Sequence, residues 1–132
     1  MEKIAIIGLG LIGGSIGLAL KRAGLKEITV AGNARTRDTL QRARRLGAID
    51  EDCATAAEAA KGARLVIVAC PILATKAVFE EIAPVLAEGA VVTDTGSTKA
   101  NVMRWAKETL PAHAFFVGGH PMAGKETPGI DA

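Results

Sequence analysis

The hexapeptide Gly8-Leu9-Gly10-Leu11-Ile12-Gly13 spaces its glycines as a diphosphate grip does. The first glycine allows a tight turn, the second lets the backbone approach the phosphates, and the third lets a helix pack closely on a strand. Amides left free at the start of that helix would face the phosphate charge. About twenty residues further on, where an NAD site places an acid against the adenosine ribose, stands Asn33. Asn has no charge to repel a 2′-phosphate, and Arg35 and Arg37 follow within reach of that group. The pattern predicts a cofactor site on Gly8, Gly10, Leu11, Ile12, Gly13, Asn33, Arg35 and Arg37 that takes NADP, with NAD less favoured. A plainer reading keeps the glycines for turns and packing, and Arg35 and Arg37 as a solvated helix start.

Further segments bear groups suited to chemistry. Cys70-Pro71-Ile72 leaves an apolar run at what would be the carboxyl edge of a sheet, where ligands of open α/β sheets bind. Cys70 and Pro71 are therefore candidate cofactor contacts, although a proline can also simply open the next helix. Asp94-Thr95-Gly96-Ser97-Thr98-Lys99 makes a similar exit, with Ser97 either a cap or a site residue. In Gly118-Gly119-His120-Pro121-Met122-Ala123-Gly124 a histidine sits among three glycines, a loop able to bring backbone close to a ligand. His113, beside Pro111, reads instead as a hydrogen-bonded structural residue.

The elements that position these groups follow from periodicity. Lys3 to Ile7, Glu27 to Ala31, Arg64 to Cys70, Ala90 to Asp94 and Ala114 to Val117 are short apolar runs and predict strands. Leu11 to Ala23, Arg37 to Leu46, Ala56 to Lys61, Leu73 to Leu86 and Lys99 to Leu110 have helical spacing. Thr55-Ala56-Ala57-Glu58 has the form of a capping box, and Gly24, Gly47 and Gly62 stand where left-handed caps end helices. Asp50 and its neighbours offer a very short third strand, but Ile49-Asp50-Glu51-Asp52 is too polar to assign as one. Strict alternation with strands apolar on both faces predicts an α/β fold: a doubly wound, mostly parallel Rossmann-type sheet, one dinucleotide-binding domain over residues 1–132.

Composition narrows the classes. With 49% hydrophobic and 23% charged residues the chain can build a core, so disorder is excluded. A net charge of +2 and 3% aromatics argue against nucleic acid as a partner. No apolar run approaches the roughly 18 residues of a membrane span, and the opening Met1-Glu2-Lys3-Ile4 runs straight into a strand, so a cytoplasmic protein is expected. Cys53 and Cys70 lack the spacing of a zinc site or a disulfide framework, and no metal is expected.

Taken together, Gly8-Leu9-Gly10-Leu11-Ile12-Gly13-Gly14-Ser15, the Asp94 to Lys99 segment and the Gly118 to Gly124 segment resemble the prephenate and arogenate dehydrogenases of tyrosine biosynthesis. The resemblance covers essentially the whole chain. It implies oxidative decarboxylation of prephenate or arogenate by hydride transfer to a nicotinamide. His120 would be the catalytic histidine on the ring hydroxyl, and Ser97 the serine near the same hydroxyl and the nicotinamide; Lys99 matches a family lysine whose role stays open. Family members continue into an all-helical domain that forms a homodimer and closes the substrate site. A chain ending at Ala132 is thus expected to be a cofactor-binding fragment with little or no activity of its own. Two rival readings stay open: another Rossmann dehydrogenase of the β-hydroxyacid type, which would not carry the His120 loop, and a non-catalytic nucleotide-sensing module, which leaves Ser97 and His120 unexplained.

Overall fold

The computed structural model describes residues 2–24, 27–95 and 99–118. Ser97 and His120 lie outside the described residues. Strand β1 (Glu2–Ile7) leads through the glycine turn into helix α1 (Leu11–Arg22), followed by β2 (Ile28–Asn33), α2 (Arg37–Arg45), β3 (Glu51–Asp52), α3 (Ala56–Ala60), β4 (Leu65–Val68), α4 (Ile72–Ile82), β5 (Val91–Asp94), α5 (Lys99–Thr109) and β6 (Phe115–Val117). The strands lie in the order β3-β2-β1-β4-β5-β6, and each neighbouring pair is parallel. This is the doubly wound dinucleotide-binding order, as the alternation of elements predicted.

Alternate residues of one strand face opposite layers. On one face Ile4, Ile6, Val30 and Ile67 meet Leu40 and Ala43 of α2, with Ile16 and Leu18 of α1 packed beside them. On the other, Ala5, Ile7, Val66, Val68 and Val92 meet Ala59 of α3, Phe79 and Ile82 of α4 and Val102 of α5. The fully buried Phe79 ring meets the edge of Phe116 with centroids 5.6 Å apart. Central strands covered by helices on both faces need apolar residues at every position, which is why they read as continuous runs.

Several boundaries differ from the periodicity, each for a local reason. The helix expected over Leu73 to Leu86 stops at Ile82 and tightens into a 3-10 turn at Ala83–Val85, where Pro84 has no amide to donate. Strand β2 starts after Glu27, which turns with φ of 64°, and runs on to Asn33. Strand β3 exists but is two residues long and exposed. Asp50, just before it, completes the pairing: its amide donates to the Val30 carbonyl at 2.7 Å and its carboxylate accepts from the Val30 amide at 2.9 Å. Thr55 Oγ1 accepts from the Glu58 amide at 3.0 Å as expected, while the Glu58 carboxylate reaches one residue further back, to the Ala54 amide at 3.0 Å. Gly24, Gly47 and Gly62 take φ values of +67°, +81° and +80°, the left-handed caps anticipated.

Candidate functional site

The carboxyl ends of the central strands are stitched together one turn at a time. Gly8 N–H donates to the Asn33 carbonyl at 2.8 Å, Ala69 N–H to Ile7 at 2.7 Å, and Thr95 N–H to Val68 at 3.1 Å. The turns after β1, β2, β4 and β5 therefore meet along one edge. From β1 the sheet grows both ways, to β2 and to β4, and the crevice outside such a reversal is where open α/β sheets bind ligands. A cleft of about 740 Å³ opens there, lined by Gly8 to Ile12, Ala34, Arg35 and Thr39, and across from them Ala69 to Ile72 and Thr95.

Each glycine of the fingerprint answers to a different constraint. Gly8 has φ of +99°, and a Cβ there would lie 2.8 Å from the Ala69 and Cys70 backbone. At Gly13 a Cβ would fall 1.9 Å from the Gly8 carbonyl oxygen, so the helix and the turn can touch only through glycine. Gly10 is the informative one: among the described residues, its chain neighbours aside, nothing lies within 4 Å of a Cβ built there. Packing does not require a glycine at position 10, whereas backbone contact with a ligand in the cleft does. Gly10 is also the N-cap of α1 and has no side chain with which to cap it. The equivalent caps of α2 and α3, Thr36 and Thr55, each accept from an amide in the first turn. The first-turn amides of α1 are thus left for an outside acceptor, and with no acidic side chain in that turn the helix end keeps its positive potential.

At the ribose end the candidates separate. Arg35 is exposed and lines the cleft, together with Thr39, which the sequence pattern did not single out. The Thr36 hydroxyl accepts from the Thr39 amide at 3.2 Å and donates to the Thr39 hydroxyl at 2.9 Å. The Thr39 hydrogen is thereby turned elsewhere. Asn33 does not line the cleft; its Nδ2 donates to the Cys53 carbonyl at 3.0 Å, a bond that no carboxylate could donate. Arg37 opens α2 in solvent and does not line the cleft either. Leu9, Ala34, Ala69, Ile72 and Thr95 join the walls only because neighbouring turns converge, a relation between elements that no local pattern carries.

Cys70 and Pro71 both border the cleft, and Pro71 also caps α4 as the plainer reading expected. Burial pushes the Cys70 thiol up, with the Asp94 carboxylate adding to it and a contact to Thr75 Oγ1 at 3.7 Å opposing it. Burial likewise raises Cys53, with Glu58 next in weight. Neither thiol has the depressed pKa of a nucleophile. His113 donates from Nε2 to the Leu86 carbonyl at 2.9 Å, the structural role expected of it. Among the described residues no group of three or more His, Cys, Asp or Glu could hold a metal, and no helix is long and apolar enough to cross a membrane.

A doubly wound parallel sheet with a glycine turn and an uncapped helix at its reversal defines a Rossmann-type nucleotide-binding domain. The chain belongs to the prephenate dehydrogenase family: residues 16–132 match its family described as "Prephenate dehydrogenase, nucleotide-binding domain". It is 38% identical over 132 residues to the prephenate dehydrogenase of Bacillus subtilis, covering 99% of this chain and 35% of that protein. To the cyclohexadienyl dehydrogenase of Zymomonas mobilis it is 38% identical over 131 residues, or 99% of this chain and 44% of that protein. Among solved structures, prephenate dehydrogenase from A. aeolicus in complex with hydroxyphenyl propionate and NAD+ matches with a TM-score of 0.82 at 30% identity, over 99% of this chain and 45% of that one. Synechocystis arogenate dehydrogenase matches with a TM-score of 0.81 at 30% identity, over 95% and 42%. The chain thus spans less than half the length of these relatives.

Proposed function

We propose that this chain is the cofactor half of a prephenate or arogenate dehydrogenase of tyrosine biosynthesis that prefers NADP to NAD. The observation that carries the nucleotide assignment is Gly10, a glycine that the protein's own packing does not need, at the uncapped tip of α1. Gly8, Gly10, Leu11, Ile12 and Gly13 hold the diphosphate, and Cys70 and Pro71 form the opposite wall. Arg35 supplies the guanidinium for a 2′-phosphate, Asn33 withholds the negative charge that would repel it, and Arg37 adds longer-range attraction.

When bound, the nicotinamide supplies the acceptor for a hydride from the substrate ring. The protein's task is to remove a proton and hold the hydroxyl in place. His120 takes the proton from the ring hydroxyl as a general base, and Ser97 orients that hydroxyl. Loss of the ring carboxylate as carbon dioxide leaves an aromatic product, which drives the reaction forward. Thr95, which lines the cleft, leads directly into the segment that carries Ser97. The complete protein is a cytoplasmic homodimer acting on a small molecule, with no metal, membrane or nucleic acid in its function. The A. aeolicus relative was crystallised with NAD+, so relatives do not carry the NADP preference; Arg35 in the cleft wall supports it.

A charge-assisted hydrogen bond contributes about 1.5 to 3 kcal/mol, so Arg35 should give roughly ten- to hundredfold preference for NADP. Replacing it, Arg35→Ala, is expected to bring the two dissociation constants together; an unchanged ratio contradicts the preference. The catalytic part is tested in the complete enzyme, with prephenate and arogenate as substrates. Here His120→Asn should cut turnover by about a hundred- to ten-thousandfold and spare coenzyme binding. Unchanged turnover in His120→Asn, or a loss that is explained by weakened coenzyme binding, refutes the assignment.

A further inference from the structure

Helix α2 carries four arginines, and their surroundings separate them. Arg44 is held by Asp52 at 2.8 Å. Arg37 borders neither the coenzyme cleft nor the two hollows beside it. Arg42 borders both hollows, of about 610 and 300 Å³, and Arg45 only the smaller. Thr39 lines all three, and the larger hollow also shares Leu9, Gly10 and Leu11 with the coenzyme cleft. Arg42 is exposed, and among the described residues its guanidinium has no ion pair.

Direction favours Arg42 over Arg37. Helical side chains lean toward the amino terminus of their helix, and residues three apart share a face. The amino terminus of α2 is the end that meets the cleft, since Arg35 and Thr39 line it. Arg42, one turn beyond Thr39, does not line the cleft itself, but the general lean of helical side chains favours the Thr39 side for it. Asp38 borders the smaller hollow with Arg42 and is the competing anion. An exposed helical pair of that spacing is weak, whereas a phosphate dianion offers a guanidinium two oxygens at once.

We infer that Arg42 is a second cation for the adenosine-side phosphate: with Arg35 it brackets Thr39 and determines selection of the 2′-phosphorylated coenzyme. This rests on the NADP reading above and assigns the second cation to Arg42 ahead of Arg37.

The test uses the two halves of the distinction as probes, 2′,5′-ADP and 5′-AMP, titrated against the protein and its variants. Arg42→Gln keeps helix propensity and should weaken 2′,5′-ADP about five- to tenfold while 5′-AMP stays within about twofold, which also reports an intact fold. Arg42→Lys should recover part of the loss, and Arg37→Gln should cost less than Arg42→Gln. Unchanged 2′,5′-ADP affinity in Arg42→Gln, an equal loss of 5′-AMP, or a larger loss from Arg37→Gln overturns the assignment. If only Arg35→Ala loses 2′,5′-ADP, Arg42 is excluded and the NADP reading stands; if neither variant loses it, both fall.

Discussion

The glycines of the first turn can be set against one another. Gly13→Ala drives a methyl group into the Gly8 carbonyl, 1.9 Å away, and must displace backbone. It should cost about 3 kcal/mol, read by denaturant unfolding. Gly10→Ala meets nothing among the described residues. Its stability should fall by no more than about 1 kcal/mol, the usual cost of a poorer cap, while coenzyme affinity falls about tenfold. Equal coenzyme affinity in Gly10→Ala would mean that no ligand backbone contact is made there. At this scale the tight turn read at Gly8 and the close packing read at Gly13 are seen in the structure, while the phosphate approach read at Gly10 is what the coenzyme measurement tests. Asn33 shows the opposite case: its type is legible as a missing acid, yet its amide also holds the Cys53 carbonyl, a partner twenty positions away that spacing alone does not reveal.

Among the elements, β3 depends on Asp50. Burial opposes its ionised form, but the Lys21 ammonium, the Val30 amide and the charge of Arg44 outweigh burial and hold its carboxyl below its ordinary value of 3.8. A depressed folded-state pKa gives stability that is present above the unfolded value and lost as pH falls through the folded one. Asp50→Asn keeps an acceptor for Val30 and removes the charge. It should therefore be less stable than the parent at pH 7, and the gap should close as pH drops below about 4; a constant gap contradicts this. Thr55→Ala removes the cap of a five-residue helix and should lower stability by about 1 kcal/mol by the same unfolding measurement. The long elements were legible because strand and helix periods differ and glycine caps bound them. The exposed β3 was legible only as an open alternative, because two polar edge residues have no period and owe their pairing to β2 and to the Asp50 side chain. Nor did the periodicity foresee the early end of α4, although Pro84 announces it.

For the molecule as a whole, strand order brings four turns to one edge, and that convergence makes a cleft from residues up to 87 positions apart, Gly8 to Thr95. Alternation of elements made this architecture readable; the opposite walls were not, since they depend on which strands become neighbours. A phosphate monoester gains its second charge near pH 6. Discrimination by arginine should therefore strengthen as pH rises from about 5 to 7.5, seen as a growing ratio of the NAD and NADP dissociation constants, while a flat ratio would mean that charge is not what is read. The most direct measurement is equilibrium titration of the protein with NADP and with NAD at pH 7.5. Saturable binding of both, with NADP tighter by about tenfold or more, is the result predicted here; no saturable signal from either coenzyme, or NAD binding as tightly as NADP, would contradict it.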